Sequence, residues 1–196
     1  MIDYIKGNVA ELNPTYVVIE TAGVGYFINI ALPVFSTLNG QATAKLFIYE
    51  AIREDAYTLF GFMTQTDRQL FLMLISVSGI GANTARMIMS SFSAAEIKQL
   101  IATENVRSLS SIKGIGAKTA QRIIVDLKDK IIKLNVSSDS EISTMPVHNE
   151  VRDEALSALL MLGFASGVSQ KAIDSILKTQ PDITVEQLIK LALKNI

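Results

Sequence analysis

The 196-residue chain contains no cysteine. Disulfides and thiolate metal sites are therefore excluded, and a reducing, cytoplasmic location is expected. Histidine occurs once, as His148 in a polar stretch, where it reads as a solvated side chain rather than a ligand or general base. No apolar run approaches the ~18 residues that a membrane span needs. The start, Met1-Ile2-Asp3-Tyr4, lacks the basic region of a signal peptide. Nucleotide fingerprints are incomplete. Gly116-Ala117-Lys118-Thr119 resembles part of a P-loop, but Ala117 stands where that motif needs a glycine before its lysine. Neither Gly-x-Gly continues to the third glycine of a dinucleotide site. No cofactor and no metal are expected. The formal net charge is only −1, so no global excess of one sign announces a partner.

What is present is a repeat. Gly79-Ile80-Gly81-Ala82-Asn83-Thr84-Ala85 returns 35 residues later as Gly114-Ile115-Gly116-Ala117-Lys118-Thr119-Ala120. Aligned from Ile75 to Phe92 and from Ser110 to Leu127, eight of 18 positions are identical. Each copy has an apolar run before it and a helical pattern after it. Glycine supplies the positive φ of a tight turn and allows close backbone approach. The isoleucine can lock the turn between two helices. After the second glycine a helix begins, and its first N–H groups lack intrahelical partners and suit a phosphate oxygen. Thr84 and Thr119 can add hydroxyl hydrogen bonds. Lys118 and Arg122 stand i, i+4 on one helix face, where both can reach a phosphodiester. A packing role alone would not require the same polar residue after the same glycine. The pair resembles a tandem helix-hairpin-helix, in which each hairpin grips one strand of a duplex without reading bases.

Charge supports this division. Residues 74–133 hold nine basic and four acidic residues, a net of +5, whereas residues 1–62 hold three basic and six acidic, a net of −3. The positive charge lies with the hairpins. The hydrophobic fraction of 49% and mean hydropathy of +0.33 read as core plus contacts between subunits.

The predicted architecture is α+β and multidomain. Residues 1–63 read as five short strands (Ile2–Glu11, Tyr16–Thr21, Gly25–Ile30, Ala44–Ile52, Tyr57–Phe62) of a small closed OB-fold barrel, with Leu32–Leu38 a short turn or helix. Residues 64–133 read as the all-α hairpin domain. Thr66-x-x-Gln69 is a possible capping box before Leu70–Val77, and Ser93-x-x-Glu96 opens a connecting helix to about Thr103. Val106–Ile112 and Lys118 to about Lys133 form the arms of the second hairpin. Residues 134–149 hold five Ser/Thr and read as a flexible linker. Residues 150–196 read as a small three-helix domain. Val151, Ala155, Leu159 and Leu162 share one stripe, Gly163 ends that helix, and Thr184-x-x-Gln187 caps the last.

Arg53-Glu54-Asp55-Ala56 falls at the tip between the last two strands. It can be ordinary surface charge at a turn. It can also repel phosphates, keeping strands apart at a branch point or discouraging plain duplex. Metal ligation by these acids lacks further carboxylates at a convincing spacing.

Taken in order, Ala22-Gly23-Val24-Gly25-Tyr26, the Arg-Glu-Asp-Ala tip, Leu59-Phe60-Gly61-Phe62 and the two Gly-Ile-Gly turns resemble the RuvA family of Holliday-junction-binding subunits. Specific motifs carry the resemblance over residues 1 to about 133. The tail matches only in length and helical character. The resemblance implies that four copies surround a four-way junction, independent of sequence, and that a second tetramer can close the other face as an octamer. It implies phosphate-binding turns set by Gly79, Gly81, Gly114 and Gly116, and backbone contacts from Thr84, Lys118, Thr119 and Arg122. Glu54 and Asp55 would be the acidic pin at the crossover. The C-terminal domain would dock on the RuvB ATPase, with the RuvC resolvase a further partner, and the subunit itself would be non-catalytic. One departure is Asn83, where family members often carry lysine, which leaves the first hairpin one charge-assisted contact poorer. The rival class is a helix-hairpin-helix nuclease or glycosylase, for which Asp126 and Asp129 are the nearby acids. An OB-fold single-strand binder is a third option, with Tyr16, Tyr26 and Phe27 available for stacking.

Overall fold

The computed structural model describes residues 1–138, 148–181 and 183–195. These fall into two compact units, Met1–Asp139 and Ser140–Ile196.

The first unit opens with a closed five-stranded barrel. Its strands are β1 (Tyr4–Asn13), β2 (Tyr16–Thr21), β3 (Val24–Ile30), β4 (Thr43–Ile52) and β5 (Tyr57–Phe62). The order around the barrel is β1-β2-β3-β5-β4, and β4 closes on β1. All pairs are antiparallel except β3 with β5. Closure removes every exposed sheet edge. Alternate residues point inward, so Ile5, Val17, Ile19, Ile28, Ile30, Leu46, Ile48 and Leu59 form one core. Helix α1 (Leu32–Leu38) joins this core through Val34 and Leu38, and carries Pro33 in its first turn, where the missing N–H costs nothing.

Helices α2 (Gln65–Ile75), α3 (Ala82–Ser91), α4 (Ala94–Ala102), α5 (Val106–Ser110) and α6 (Ala117–Ser138) follow. The cap of α2 lies two residues before the expected one. Thr64, not Thr66, accepts from the Asp67 N–H at 3.1 Å, and an acid in the first turn also suits the helix dipole. At α4 the expected box is formed. The Ser93 hydroxyl accepts from the Glu96 N–H, and the Glu96 carboxylate accepts from the Ser93 N–H at 2.8 Å. Helix α6 runs to Ser138, past the expected end at Lys133. The remainder of the expected linker falls largely outside the described residues.

Barrel and hairpins share a core. Phe71 of α2 lies 4.9 Å from Phe62, 5.3 Å from Tyr49 and 5.5 Å from Phe60, ring centre to ring centre. Ala31, Phe60 and Phe62 belong to the same cluster as Leu74, Ile88, Leu109 and Ile123. The barrel therefore holds the first hairpin directly rather than through a tether.

The second unit contains α7 (His148–Met161), α8 (Ser166–Thr179) and α9 (Val185–Asn195). Ala155, Leu159, Ile173, Ile176, Leu188 and Ala192 make its core, and Arg152 Nε meets Asp174 Oδ1 at 2.8 Å between α7 and α8. Leu162 does not join the expected stripe. It follows the end of α7 and is 61% exposed.

Candidate nucleic-acid interface

The two Gly-Ile-Gly turns are the same object built twice. Val77 and Ile112 donate their N–H groups to Leu74 and Leu109, Ile80 and Ile115 to Val77 and Ile112, and Ala85 and Ala120 to Gly81 and Gly116. These three bonds of the first turn reappear 35 residues on, although the bond from the Ser76 N–H to the Leu72 carbonyl has no counterpart at Ser111. Even the Ser76 hydroxyl, 2.7 Å from the Met73 carbonyl, has its counterpart in Ser111 and Ser108. Ile80 and Ile115 are buried at the centre of each hairpin.

The two glycines of each turn do different things. Gly79 and Gly114 have φ of +93° and +89°, a conformation that any side chain would strain. Gly81 and Gly116 have no such demand. Gly81 has φ −89°, and a Cβ built at either position would meet nothing within 4 Å. Each accepts the first ladder bond of its helix, the cap position, where glycine is modestly better than alanine, and the open space above each leaves room for a close partner outside the chain. Helix α3 has no side-chain cap. The N–H groups of Ala82, Asn83 and Thr84 open its first turn, before the ladder begins at Ala85. Thr84 and Thr119 are half-buried, and Asn83, Lys118 and Arg122 are exposed.

The expected positive segment is less free than its count suggests. Arg86 of α3 turns away from the hairpin surface. Its Nη1 donates to the Thr15 carbonyl at 2.9 Å and to Asn29 Oδ1 at 3.1 Å, on the barrel. Asn29 Nδ2 in turn donates to the Leu59 carbonyl of β5 at 3.2 Å. Burial pulls the Arg86 guanidinium below its usual range. Lys128 is likewise committed, to Glu104, which lowers the Glu104 carboxyl and raises the Lys128 ammonium. Arg122 makes only a loose contact of 3.9 Å with Asp126, both well exposed. Such surface pairs are worth little.

The acidic tip is a closed turn, with the Arg53 N–H donating to the Ala56 carbonyl at 2.8 Å. Glu54 and Asp55 are exposed at its end. The turn sits beside the first hairpin. A cleft of about 310 Å³ is lined by Arg53, Ala56 and Thr58 on one side and Gly81, Ala82, Asn83 and Thr84 on the other. None of the second hairpin's named residues lines it. Sequence reading missed Arg53 as a site residue, although its place beside the two acids was visible. It also missed Arg86, whose partners lie 71 and 57 residues away and left no local signal. Among the described residues, no three His, Cys, Asp or Glu side chains gather as a metal site would require. No described helix is long and apolar enough to cross a membrane.

A closed barrel that carries an acidic turn, fused through a common core to a tandem helix-hairpin-helix, defines a class of backbone-gripping protein. Family models agree along the chain. The RuvA N-terminal domain matches residues 1–61, the SAM-like tandem helix-hairpin-helix residues 71–129, and the RuvA C-terminal domain residues 150–196. The chain is 54% identical to the Holliday junction branch migration complex subunit RuvA of Bacteroides fragilis, with all of both chains covered. It is 48% identical to the protein of that name from Parabacteroides distasonis over 99% of each, and 46% to that of Christiangramia forsetii over all of each. The chain belongs to the RuvA family.

Proposed function

We propose that this protein is the junction-binding subunit of a branch-migration complex, and that it works by gripping and shaping DNA rather than by catalysis. The duplicated turn carries this reading. Two helix N-termini, each approached through a glycine with open space above it, are suited to phosphate oxygens of any sequence. Lys118 and Arg122 add charge-assisted contacts at the second hairpin. At the first, Asn83 has no charge, and Arg53 across the cleft offers a cation from the barrel instead. Thr84 and Thr119 complete the donor sets.

Glu54 and Asp55 act oppositely. Held beside a phosphate-gripping hairpin, they repel a continuous duplex and favour DNA whose strands part at that point. A four-way junction meets both conditions when several copies surround it, and a homotetramer gives each arm its own pair of hairpins. Residues Leu160, Met161, Leu162, Val168 and Leu193 leave an apolar surface on the C-terminal helices. The relatives are named as subunits of a branch migration complex, which supports a partner, and this surface would receive the motor, the RuvB ATPase, that would supply the ATP-driven step. The rival enzyme reading is not favoured by the relatives, which are named as subunits of a branch migration complex.

The test is a gel-shift comparison of a four-way junction with linear duplex of the same sequence. Glu54→Gln combined with Asp55→Asn should raise duplex affinity several-fold and leave junction affinity near its starting value. An unchanged ratio removes the acidic turn from the mechanism.

A further inference from the structure

Two lysines on the barrel face each other with no acid between them. Lys6 of β1 and Lys45 of β4 are register partners, and both are exposed. Among the described residues neither lies within ion-pair distance of a carboxylate. Like charges directly opposite on an antiparallel pair are destabilising. The arrangement stands out in a segment, residues 1–62, with three bases against six acids. Two of those three bases are placed side by side.

The neighbouring pair on the same face is aromatic. Tyr4 is the register partner of Phe47, and Tyr4 is 51% exposed. Lys45 Nζ lies 4.2 Å from the Tyr4 ring centre and 4.8 Å from that of Phe47. Arg68 of α2 sets its guanidinium 5.5 Å from the Phe47 ring centre, anchored by Asp3 at 2.7 Å. Cations and rings therefore alternate across the outer face of β1 and β4. An acidic protein segment would satisfy the lysines and leave the rings unused. Duplex DNA would offer phosphates but no open base faces. A single nucleic-acid strand offers both, phosphate to ammonium and base to ring.

We infer that the β1–β4 face, through Tyr4, Lys6, Lys45 and Phe47, binds an unpaired nucleic-acid strand. The site is separate from the acidic turn, since about 20 Å of strand separates Phe47 from Arg53. It does not depend on the reading of the hairpin turns.

The full chain is titrated with a fluorescently labelled oligothymidine, with excess unlabelled duplex present to occupy the hairpins. Lys6→Gln with Lys45→Gln should weaken binding about tenfold or more and flatten its salt dependence by about 1.4 units, the share of two phosphates on a single strand. Lys6→Gln alone should melt at an equal or higher temperature, because it removes the like-charge pair and keeps the contacts of Lys45 with the rings. Tyr4→Ala should weaken binding about tenfold, the loss of one stacked base. Lys118→Ala should leave it unchanged while weakening junction binding. The inference is overturned if oligothymidine binding survives the lysine changes or follows Lys118. It is also overturned if polyglutamate competes as well as oligothymidine does. A change in oligomeric mass with oligothymidine binding intact would make the face a contact between copies and likewise refute it.

Discussion

The two helix-hairpin-helix turns share one backbone and differ in where their cations point. The first has Asn83, Arg86 and Met87 where the second has Lys118, Gln121 and Arg122. Arg86 binds the barrel, whereas Lys118 and Arg122 are exposed. The first hairpin thus spends its cation on position. Through Asn29 and Leu59, Arg86 ties α3 to the strand that follows the acidic turn. The second hairpin leaves its cations exposed. On the proposed function, identical folding instructions would do different work: one turn would be registered against the acids, and the other would be the stronger electrostatic anchor.

The largest effect expected of this difference comes from disarming the anchor. Lys118→Ala with Arg122→Ala should cut junction affinity at least thirtyfold at moderate salt, if each contact is worth about 1–2 kcal/mol. The slope of log affinity against log salt should fall by about two units for each copy engaged on the junction. Equal loss from the pair Asn83→Ala and Met87→Ala would erase the asymmetry. A smaller, opposite effect should follow from arming the first hairpin. Asn83→Lys with Met87→Arg, both at accessible positions, should steepen the salt slope and tighten junction binding severalfold. An unchanged slope would mean that this helix does not face phosphate.

Arg86→Gln copies the residue of the second hairpin into the first. It leaves the Thr15 and Asn29 acceptors short of a donor, and should destabilise the first unit by about 1–3 kcal/mol in denaturant melts. Its signature in binding should be a lower junction-to-duplex ratio with little change in salt slope. Loss of slope instead would place Arg86 on the DNA. The smallest effect concerns α4, the link between the hairpins. The Ser93 N–H and hydroxyl hold the Glu96 carboxyl below its usual range. That stabilisation is present above the unfolded carboxyl's pKa and is lost as pH falls through the lower folded value. Glu96→Gln should therefore flatten the acid limb of a stability–pH curve. An unaltered limb would show that the box contributes nothing there.

Much of this was legible in the chain because its causes are local. Strand alternation, the box at Ser93 and the repeated turn each occupy a few neighbouring residues, and all appear in the structure. The cap at Thr64 was misplaced by two residues because Thr64-x-x-Asp67 and Thr66-x-x-Gln69 compete within one turn. Leu162 kept helical spacing on paper but falls beyond the last turn of α7. The role of Arg86 and the meeting of Arg53 with the first hairpin were not legible at all. Both depend on a barrel closing and then docking on a helix through Phe71, a tertiary event that no window of sequence contains.

Gly81 and Gly116 separate the pressures that act on this protein. A methyl group at either position would disturb neither backbone angle nor neighbour. A search for weakened variants that scores only the melting of the isolated chain would register no more than the modest cost of losing a glycine cap, about 1 kcal/mol or less. Their full cost would surface when DNA is present. On the proposed function, these two positions would be fitted more to the complex than to the isolated chain.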